Sequence, residues 1–445
     1  MEREFAEDAD DVVRILSGLL RRGDHGEAFR ERRTIATWSA SEAGLLSPAF
    51  AEERGTAVRI RRDREALLFA REGDGPSALR EVVRDASRRA GGSPFLKPRP
   101  RPALPSPAAT TDVELATELA RALARALPDP RGLSLTLTVS RVVVTRAVIT
   151  PRAFLLCGTS SRLVATGAVR RSERMRPFAF QSAAPLAAAA DTLSSALREA
   201  VRPVPAAAAP QGTVDVVLSP AAASVFWHEV VGHPLEAEGG GRHSVLSRVP
   251  HAVVAPPGLF VSDDPTRGDL PGGYRYDDEG TPARGVPLIE DGRVVGLLTD
   301  RRTGGDESNG HGRCSDYRRP PRPRLSNLVV PPGSSPLPDL LERCGSGLYV
   351  REISAGSLEP ESGRFFLVVE AADGIRRGRL GAPVARFALS GDLLGALRHL
   401  DPARGETPRP AEGLGLCVKG GDAVPVGGAS PALILRGLAV TPGRS

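Results

Sequence analysis

The chain has 445 residues, room for more than one core, and its 59 Lys and Arg against 53 Asp and Glu leave a net charge of +6. This excess is no nucleic-acid signature: the lysines are Lys97 and Lys419 alone, arginine is dispersed, and aromatics make up 4%, too few for stacking platforms. No apolar run reaches the roughly 18 residues a membrane span needs, and Met1 to Asp8 is acidic without a signal-peptide pattern, so a cytoplasmic protein binding neither nucleic acid nor membrane is expected. Cys157, Cys314, Cys344 and Cys417 lie far apart, which suits free thiols or a metal ligand and not a disulfide framework.

Glu2 to Arg22 reads as an amphipathic helix, with Val12, Val13, Ile15, Leu16, Leu19 and Leu20 as its stripe and Gly23 as its stop. Strands follow over Glu27 to Ser39 and Thr56 to Ala70, then a helix over Ser77 to Ala90. Ser93 to Thr110 is proline-rich and reads as an extended linker. A helix over Asp112 to Leu127 precedes an alternating strand over Gly132 to Arg146, further strands to about Phe180, and a helix over Ala184 to Val201.

Past Pro210 the texture changes to glycine, proline and short β-like runs. Val286 to Ile289 and Val294 to Leu298 flank Asp291-Gly292, a hairpin signal. Phe365 to Glu370 and Ala432 to Val440 are further strands, and Leu393 to Leu400 is the one helical pattern there. The fold class expected is α+β. An N-terminal α/β layer domain of antiparallel strands and helices would span 1–210, with a linker at 93–110. A mostly-β domain carrying the active-site helix would span 211–445.

That helix lies in Ser219 to Pro234, SPAAASVFWHEVVGHP, after an apolar strand ending at Leu218. Ser219 is placed to cap it and Pro220 suits its first turn. It carries His228, Glu229 and His233: two imidazoles for a borderline cation such as zinc, and a carboxylate adjoining them as a base. The spacing is unusual. Histidines four apart sit about 40° from eclipsed on a regular helix, whereas five apart they diverge by about 140°. A π-bulge would bring them nearly into line, helped by a loosened backbone at Gly232. Pro234, which stops the helix, would alternatively turn His233 away from α geometry at a frayed end.

A third ligand is needed, and Glu236, Glu238, His243, His251, His311 and the thiols all qualify on chemistry. Cys417 stands between glycines in GLGLCVKGGDAVPVGG, where close backbone approach is easy, while His311 is its rival. Asp277-Asp278-Glu279 reads as a solvated turn cluster, and Tyr317 and Arg324 as structural side chains or oxyanion donors.

The segments HEVVGHPLEAE, DDEGTP from Asp277 to Pro282, and GLCVKGGDAVPVG resemble the TldD/PmbA family of metallopeptidases. Asn309 to Tyr317, Pro323-Arg324 and Ser326-Asn327 resemble that family's central stretch, and Gly55 to Ala70 resembles its first domain more weakly. The resemblance implies zinc held by His228, His233 and Cys417, with Glu229 as general base. It implies an N-terminal α/β and a C-terminal β-rich domain. It also implies unfolded peptide as substrate, and a partner that is a homologous subunit lacking the metal motif, or a second copy, enclosing the site. Pro234 departs from the family's usual glycine, and Pro128 to Ala207 matches poorly. All three ligands and the glutamate are kept, which argues against the family's inactive branch. The competing expectation is a non-catalytic, peptide-binding or scaffolding subunit with structural zinc.

Overall fold

The structure is a computed structural model that describes residues 9–20, 24–41, 44–45, 49–62, 65–90, 117, 133–151, 153–171, 174–184, 186–202, 207–238, 243–406, 409–410 and 415–442. The expected linker and nearly all of the Asp112 to Leu127 helix lie outside them. No helix among the described residues is long and apolar enough to cross a membrane.

The N-terminal part is a seven-stranded antiparallel sheet with helices on it. Its elements are α1 (Ala9–Leu19), β1 (His25–Ser41), β2 (Gly44–Leu45), β3 (Ala49–Arg62), β4 (Glu65–Glu72), α2 (Pro76–Ala90), β5 (Leu133–Thr150), β6 (Ala153–Arg171), β7 (Arg174–Ser182) and α3 (Leu186–Ala200). The order is β4-β3-β1-β5-β6-β7, with β2 on the end of β1. The expected strand over Thr56 to Ala70 is two: the chain reverses between Arg62 and Glu65, which pair. Arg62-Asp63-Arg64 carries no glycine or proline to mark that turn.

Alternation sorts the sheet's two faces. Ala28, Val58 and Ile60 pack under α1 and α2 with Val12, Leu16, Leu79 and Val82. Trp38, Leu137, Val139 and Ala165 pack under α3 with Leu193 and Leu197, farther along the same face. The opposite face presents Phe29, Glu31, Arg33, Arg59 and Arg146 to the second half of the molecule. There Arg59 donates to the Asp278 carbonyl at 2.6 Å, Arg146 pairs with Asp278 at 2.8 Å, and Tyr317 wedges among Phe29, Ala57 and Val148.

The second half begins with β8 (Gly212–Leu218) and α4 (Pro220–Trp227). Then come β9 (Val261–Asp263), β10 (Val286–Glu290), β11 (Arg293–Val294), α5 (Arg301–Gly304), β12 (Gly312–Arg313), β13 (Arg322–Pro323), β14 (Asn327–Val329) and α6 (Leu337–Cys344). The chain continues through β15 (Gly347–Glu359), β16 (Arg364–Arg376), β17 (Arg379–Val384), β18 (Phe387–Asp392), α7 (Leu393–Arg398), β19 (Leu400–Arg404), β20 (Arg409–Pro410), β21 (Leu416–Lys419), β22 (Asp422–Pro425), β23 (Gly427–Ser430) and β24 (Leu433–Pro442). Strands run β15-β8-β24-β18-β16, and β16 pairs back with β15, so these five close on themselves. A six-stranded sheet, β11-β10-β9-β14-β23-β20, lies beside them. The Asp291-Gly292 hairpin is present, with both residues at positive φ, 47° and 74°, as a type I′ turn requires.

Between the closed strands and the six-stranded sheet sits α4. Ala222, Phe226 and Trp227 on it, and Val230 and Val231 just beyond, belong to one core with Val216, Leu367 and Leu435 on one side and Leu288, Ile289 and Leu328 on the other. A helix apolar all round needs such a double cover, and each large aliphatic or phenyl side chain so buried contributes about 1.5–3 kcal/mol. Trp227 also donates its indole N–H to Ser430 Oγ at 3.1 Å, fixing α4 against β23. The helix leading to the histidines is therefore enclosed on both sides.

Candidate metal centre

Ser219 caps α4 as its sequence demands, accepting from the Ala222 N–H at 3.2 Å while its hydroxyl donates to the Arg351 carbonyl. From His228 to Gly232 the helix widens into a π turn, closed by the His233 N–H donating to the His228 carbonyl. The extra residue in that turn brings i and i+5 together. The two imidazoles stand 4.7 Å apart, ring planes at 80°. The alternative of a frayed end is wrong: His233 keeps helical angles (φ −56°, ψ −40°) and the chain continues through a 3₁₀ turn to Leu235. Pro234 occupies a first-turn position of that 3₁₀ segment, where its missing N–H costs little. Gly232 is helical too (φ −63°), so its role is space and not looseness. A Cβ there would meet Leu325 Cδ1 at 2.7 Å and Leu328 Cδ1 at 3.0 Å.

The donor atoms of His228, His233 and Cys417 all lie within 4.8 Å of one another, with Cys417 Sγ 3.3 Å from His233 Nε2. Tetrahedral zinc with bonds of about 2.0 Å to nitrogen and 2.3 Å to sulfur sets nitrogen–sulfur separations near 3.5 Å, so this donor set fits that ion in type and spacing. Cys417 comes from the β21–β22 hairpin, turned by Gly420 (φ 59°) and Gly421 (φ 74°), which positive φ restricts to glycine at little cost. Burial opposes charge on the Cys417 thiol, but the charges and hydrogen bonds of His228 and His233 prevail and lower its pKa to about 4. The thiolate form is the one that binds metal.

Glu236 backs this cluster. Its side chain is fully buried and accepts from His233 Nδ1 at 3.1 Å, from Lys419 Nζ at 2.6 Å and from the Leu325 N–H at 3.1 Å. Burial alone would raise its pKa; the charges of His233, Lys419 and Arg324 pull it well below the carboxylate range. A carboxylate on the far nitrogen of a ligating histidine sets the ring's orientation and tautomer. Glu236, one of the candidate ligands, is thus a positioning residue. The pattern i, i+3 from His233 could have signalled it.

Arg324 is fully buried and donates to the carbonyls of Cys417 at 2.6 Å and Asp422 at 3.1 Å, so it holds the hairpin and is no oxyanion donor. His311 is not a rival ligand: it is fully buried, with Nε2 on Asp263 at 3.0 Å and Nδ1 beside Asn309. Glu238, His243 and His251 fall outside the three-donor cluster, Glu238 pairing with Lys419 at 3.0 Å. Asp277, Asp278 and Glu279 are not a solvated turn; all three are buried. Asp277 accepts from the Glu279, Thr281 and Gly312 N–H groups, and Asp278 from the Cys314 N–H. Tyr317 is buried in the junction between the two halves, far from a catalytic role.

Glu229 is buried, and its side chain lies against Gly356 of β15, where a Cβ would sit 2.8 Å from both Cδ and Oε1. Among the described residues its carboxylate has no hydrogen-bond or ion-pair partner. A shallow depression of about 490 Å³ lined by Ser357, Arg364, Phe366 and Asp392 opens elsewhere; it shares no residue with this cluster, and Ser357 faces away from Gly356 on the same strand.

Residues 211–442, just over half of the chain, match the family model described as the PmbA/TldA metallopeptidase C-terminal domain. The chain is similar to a "Metalloprotease TldD homolog" of Buchnera aphidicola, 31% identical over 236 residues, which are 52% of this chain and 49% of that protein. It is likewise similar to the "Metalloprotease TldD homolog" of Haemophilus influenzae, 32% identical over 243 residues, 54% of this chain and 50% of that one. The chain therefore spans about half the length of the curated relatives it matches. In fold it resembles a Thermotoga maritima crystal structure described as a candidate modulator of a DNA gyrase (TM-score 0.75, 16% identity, 99% of this chain and 100% of the other). By the match over its second half, the chain belongs to the PmbA/TldD metallopeptidase family.

Proposed function

We propose that this protein is a zinc-dependent peptidase that cuts unfolded or short peptides. The observation that carries this reading is the π turn, which sets two histidines five residues apart beside a buried cysteine whose thiolate form is favoured. Three protein donors with a fourth position left for water is the plan of catalytic zinc sites, whereas structural sites use four. When bound, zinc supplies Lewis acidity, lowering the pKa of water and polarising a carbonyl. Glu229, adjoining His228, accepts the proton of the attacking water and returns it to the leaving amine. Glu236 orients His233, and Arg324 holds the strand that presents Cys417.

Substrate docks as an added strand. In β21, Leu416 and Val418 are 48% and 67% exposed on either side of buried Cys417, and among the described residues β21 pairs only with β22. A peptide adding to its outer edge gains main-chain hydrogen bonds whatever its side chains, but only if it is unfolded. A homologous metal-free subunit, or a second copy of this chain, completes the enclosure.

Metal analysis and peptide digestion test this together. Purified protein carries about one zinc per chain, and Cys417→Ser or His233→Ala empties the site. Glu229→Gln keeps the zinc but slows hydrolysis of an unstructured peptide by at least the roughly 10²–10⁴-fold of one acid–base group. Full zinc in both ligand variants rejects the ligand set. Wild-type turnover in Glu229→Gln rejects the base.

A further inference from the structure

The face of the N-terminal sheet that looks toward the metal centre carries more positive than negative charge. Arg33, Arg146 and Arg162 stand on β1, β5 and β6, and Arg313 approaches from β12. The acids of that face are Glu27, Glu31 and Glu53, and each is already used: Glu27 by Arg59 at 3.0 Å and Arg301 at 3.1 Å, Glu53 by Arg33 at 3.9 Å, and Glu31 by Arg33 at 3.1 Å and Arg146 at 2.7 Å. Asp278 serves Arg146 as well. Arg313 spends its guanidinium on the carbonyls of Leu325 and Pro425 and lies over the Tyr274 ring at 5.0 Å.

Arg162 is left over. It is half-buried, and among the described residues no carboxylate lies within ion-pair distance of it. A cation removed from water without a counter-charge is costly. Burial, then the charges of Arg146, Arg33 and Arg313, lowers its pKa to about 9.

Its place ties it to the metal centre. With the Gln181 amide turned to suit both neighbours, Gln181 accepts from Arg162 Nε at 3.3 Å and donates to the Gly415 carbonyl. Gly415 stands two residues before Cys417, about 7 Å along an extended chain. Pro425, held by Arg313, is paired with Leu416 across the hairpin. Arg162 thus lies beside the β21 strand, and among the described residues its planar fork, suited to a carboxylate, has no carboxylate partner.

We propose that Arg162 binds a carboxylate of the peptide substrate, carried within a few residues of the bond that is cut. This rests on the peptidase reading for its substrate class. The carboxylate is either the peptide's own C-terminus or an Asp or Glu side chain, and both offer the guanidinium the same two oxygens.

The test is a binding measurement, independent of turnover, on the full chain bearing Glu229→Gln. Three fluorescently labelled heptapeptides are compared by anisotropy: a neutral sequence as its free acid, the same sequence amidated, and the amidated sequence with one internal glutamate. The free acid or the glutamate peptide should bind roughly 10- to 100-fold more tightly than the neutral amide, the span of a charge-assisted hydrogen bond. Preference for the first identifies the C-terminus as the source, and preference for the second an acidic side chain. Arg162→Gln should bring the ratio close to one, while Arg162→Lys keeps part of it. Equal binding of all three peptides by the parent protein overturns the proposal without any further variant, as does a preference that survives Arg162→Gln. A protein that shows the preference in binding but, with Glu229 restored, cuts none of the peptides rejects the peptidase reading and leaves the Arg162 assignment standing.

Discussion

Gly356→Ala separates the proposed base, Glu229, from the proposed zinc ligands. Gly356 lies in β15 with an ordinary extended backbone, so alanine brings no φ penalty, only a methyl group. That methyl would lie 2.8 Å from Cδ and Oε1 of Glu229, against 3.4 Å or more for ordinary contact. The carboxylate must therefore retreat by about 0.6–1 Å, and a misplacement of about 1 Å at a reacting group costs on the order of 10²-fold in rate. Glu229 has a long side chain and, among the described residues, no polar partner to lose, so stability should fall by less than about 1 kcal/mol. The assay is steady-state hydrolysis of an unstructured peptide alongside zinc content and thermal midpoint. Turnover should drop about 100-fold with zinc and midpoint near wild type. Unchanged turnover would refute the reasoning, because a base in this position cannot be moved by that much without effect. Loss of zinc would place Gly356 against the ligands and not the base.

Three further outcomes follow from the same geometry. Glu236→Gln keeps an acceptor for His233 but removes the charge that Lys419 and Arg324 face, so zinc affinity should fall about 10- to 100-fold in a chelator competition, and unchanged affinity would show that Glu236 does not act through His233. Gly232→Ala forces a methyl onto Leu325 and Leu328 and should cost about 1–3 kcal/mol in denaturant unfolding while loosening zinc, and a neutral result would mean that those leucines yield freely. Burial, then the charges of Asp277, Glu27 and Asp300, raises Glu279 well above its usual range, and burial raises Asp277 to about 7. A carboxyl more basic folded than unfolded contributes stability fully below about pH 4 and loses it as pH rises through the folded value. Glu279→Gln, neutral throughout, should therefore gain on wild type in thermal midpoint as pH rises above about 5, and a pH-independent difference would refute it.

Local signals made much of this structure legible. The Ser219-Pro220 start of α4, the Asp291-Gly292 hairpin and the alternation along β5 depend on neighbouring residues, and each forms as its chemistry requires. The helix α6 was readable too: Leu337, Leu340, Leu341 and Cys344 recur at helical spacing between Pro336 and a glycine cap at Gly345. Eight residues are too few for that spacing to stand out from the surrounding glycine and proline. The reversal between β3 and β4 had no such signal, since only charged residues stand between Arg62 and Glu65 in the sequence. In the site, five-residue histidine spacing left a π turn or a frayed end as the ways to join the rings, and the structure has the π turn. No local pattern could bring Cys417 to it, because the contact spans 184 residues. The same limit hid the acidic knot at Asp277 to Glu279, which looks like a surface turn until Arg146 arrives from β5.

The elements that carry His233 and Cys417 are tied together by a network of ion pairs centred on Glu236 as much as by packing. His233 comes from the helix and Cys417 from a hairpin that no other strand supports among the described residues. Glu236 grips the helix side through His233 Nδ1 and the hairpin side through Lys419. Arg324, 3.8 Å from Glu236, grips the hairpin again through the carbonyls of Cys417 and Asp422. Buried pairs of this kind add little net stability, but losing either partner strands the other's charge in the core. Their value here is geometric: an isolated hairpin would let the thiolate drift, whereas this wiring holds it 3.3 Å from His233 Nε2. On the proposed zinc reading, a site so held keeps its donors in place before the ion arrives, so binding need not order the hairpin and more of the donors' interaction goes into affinity.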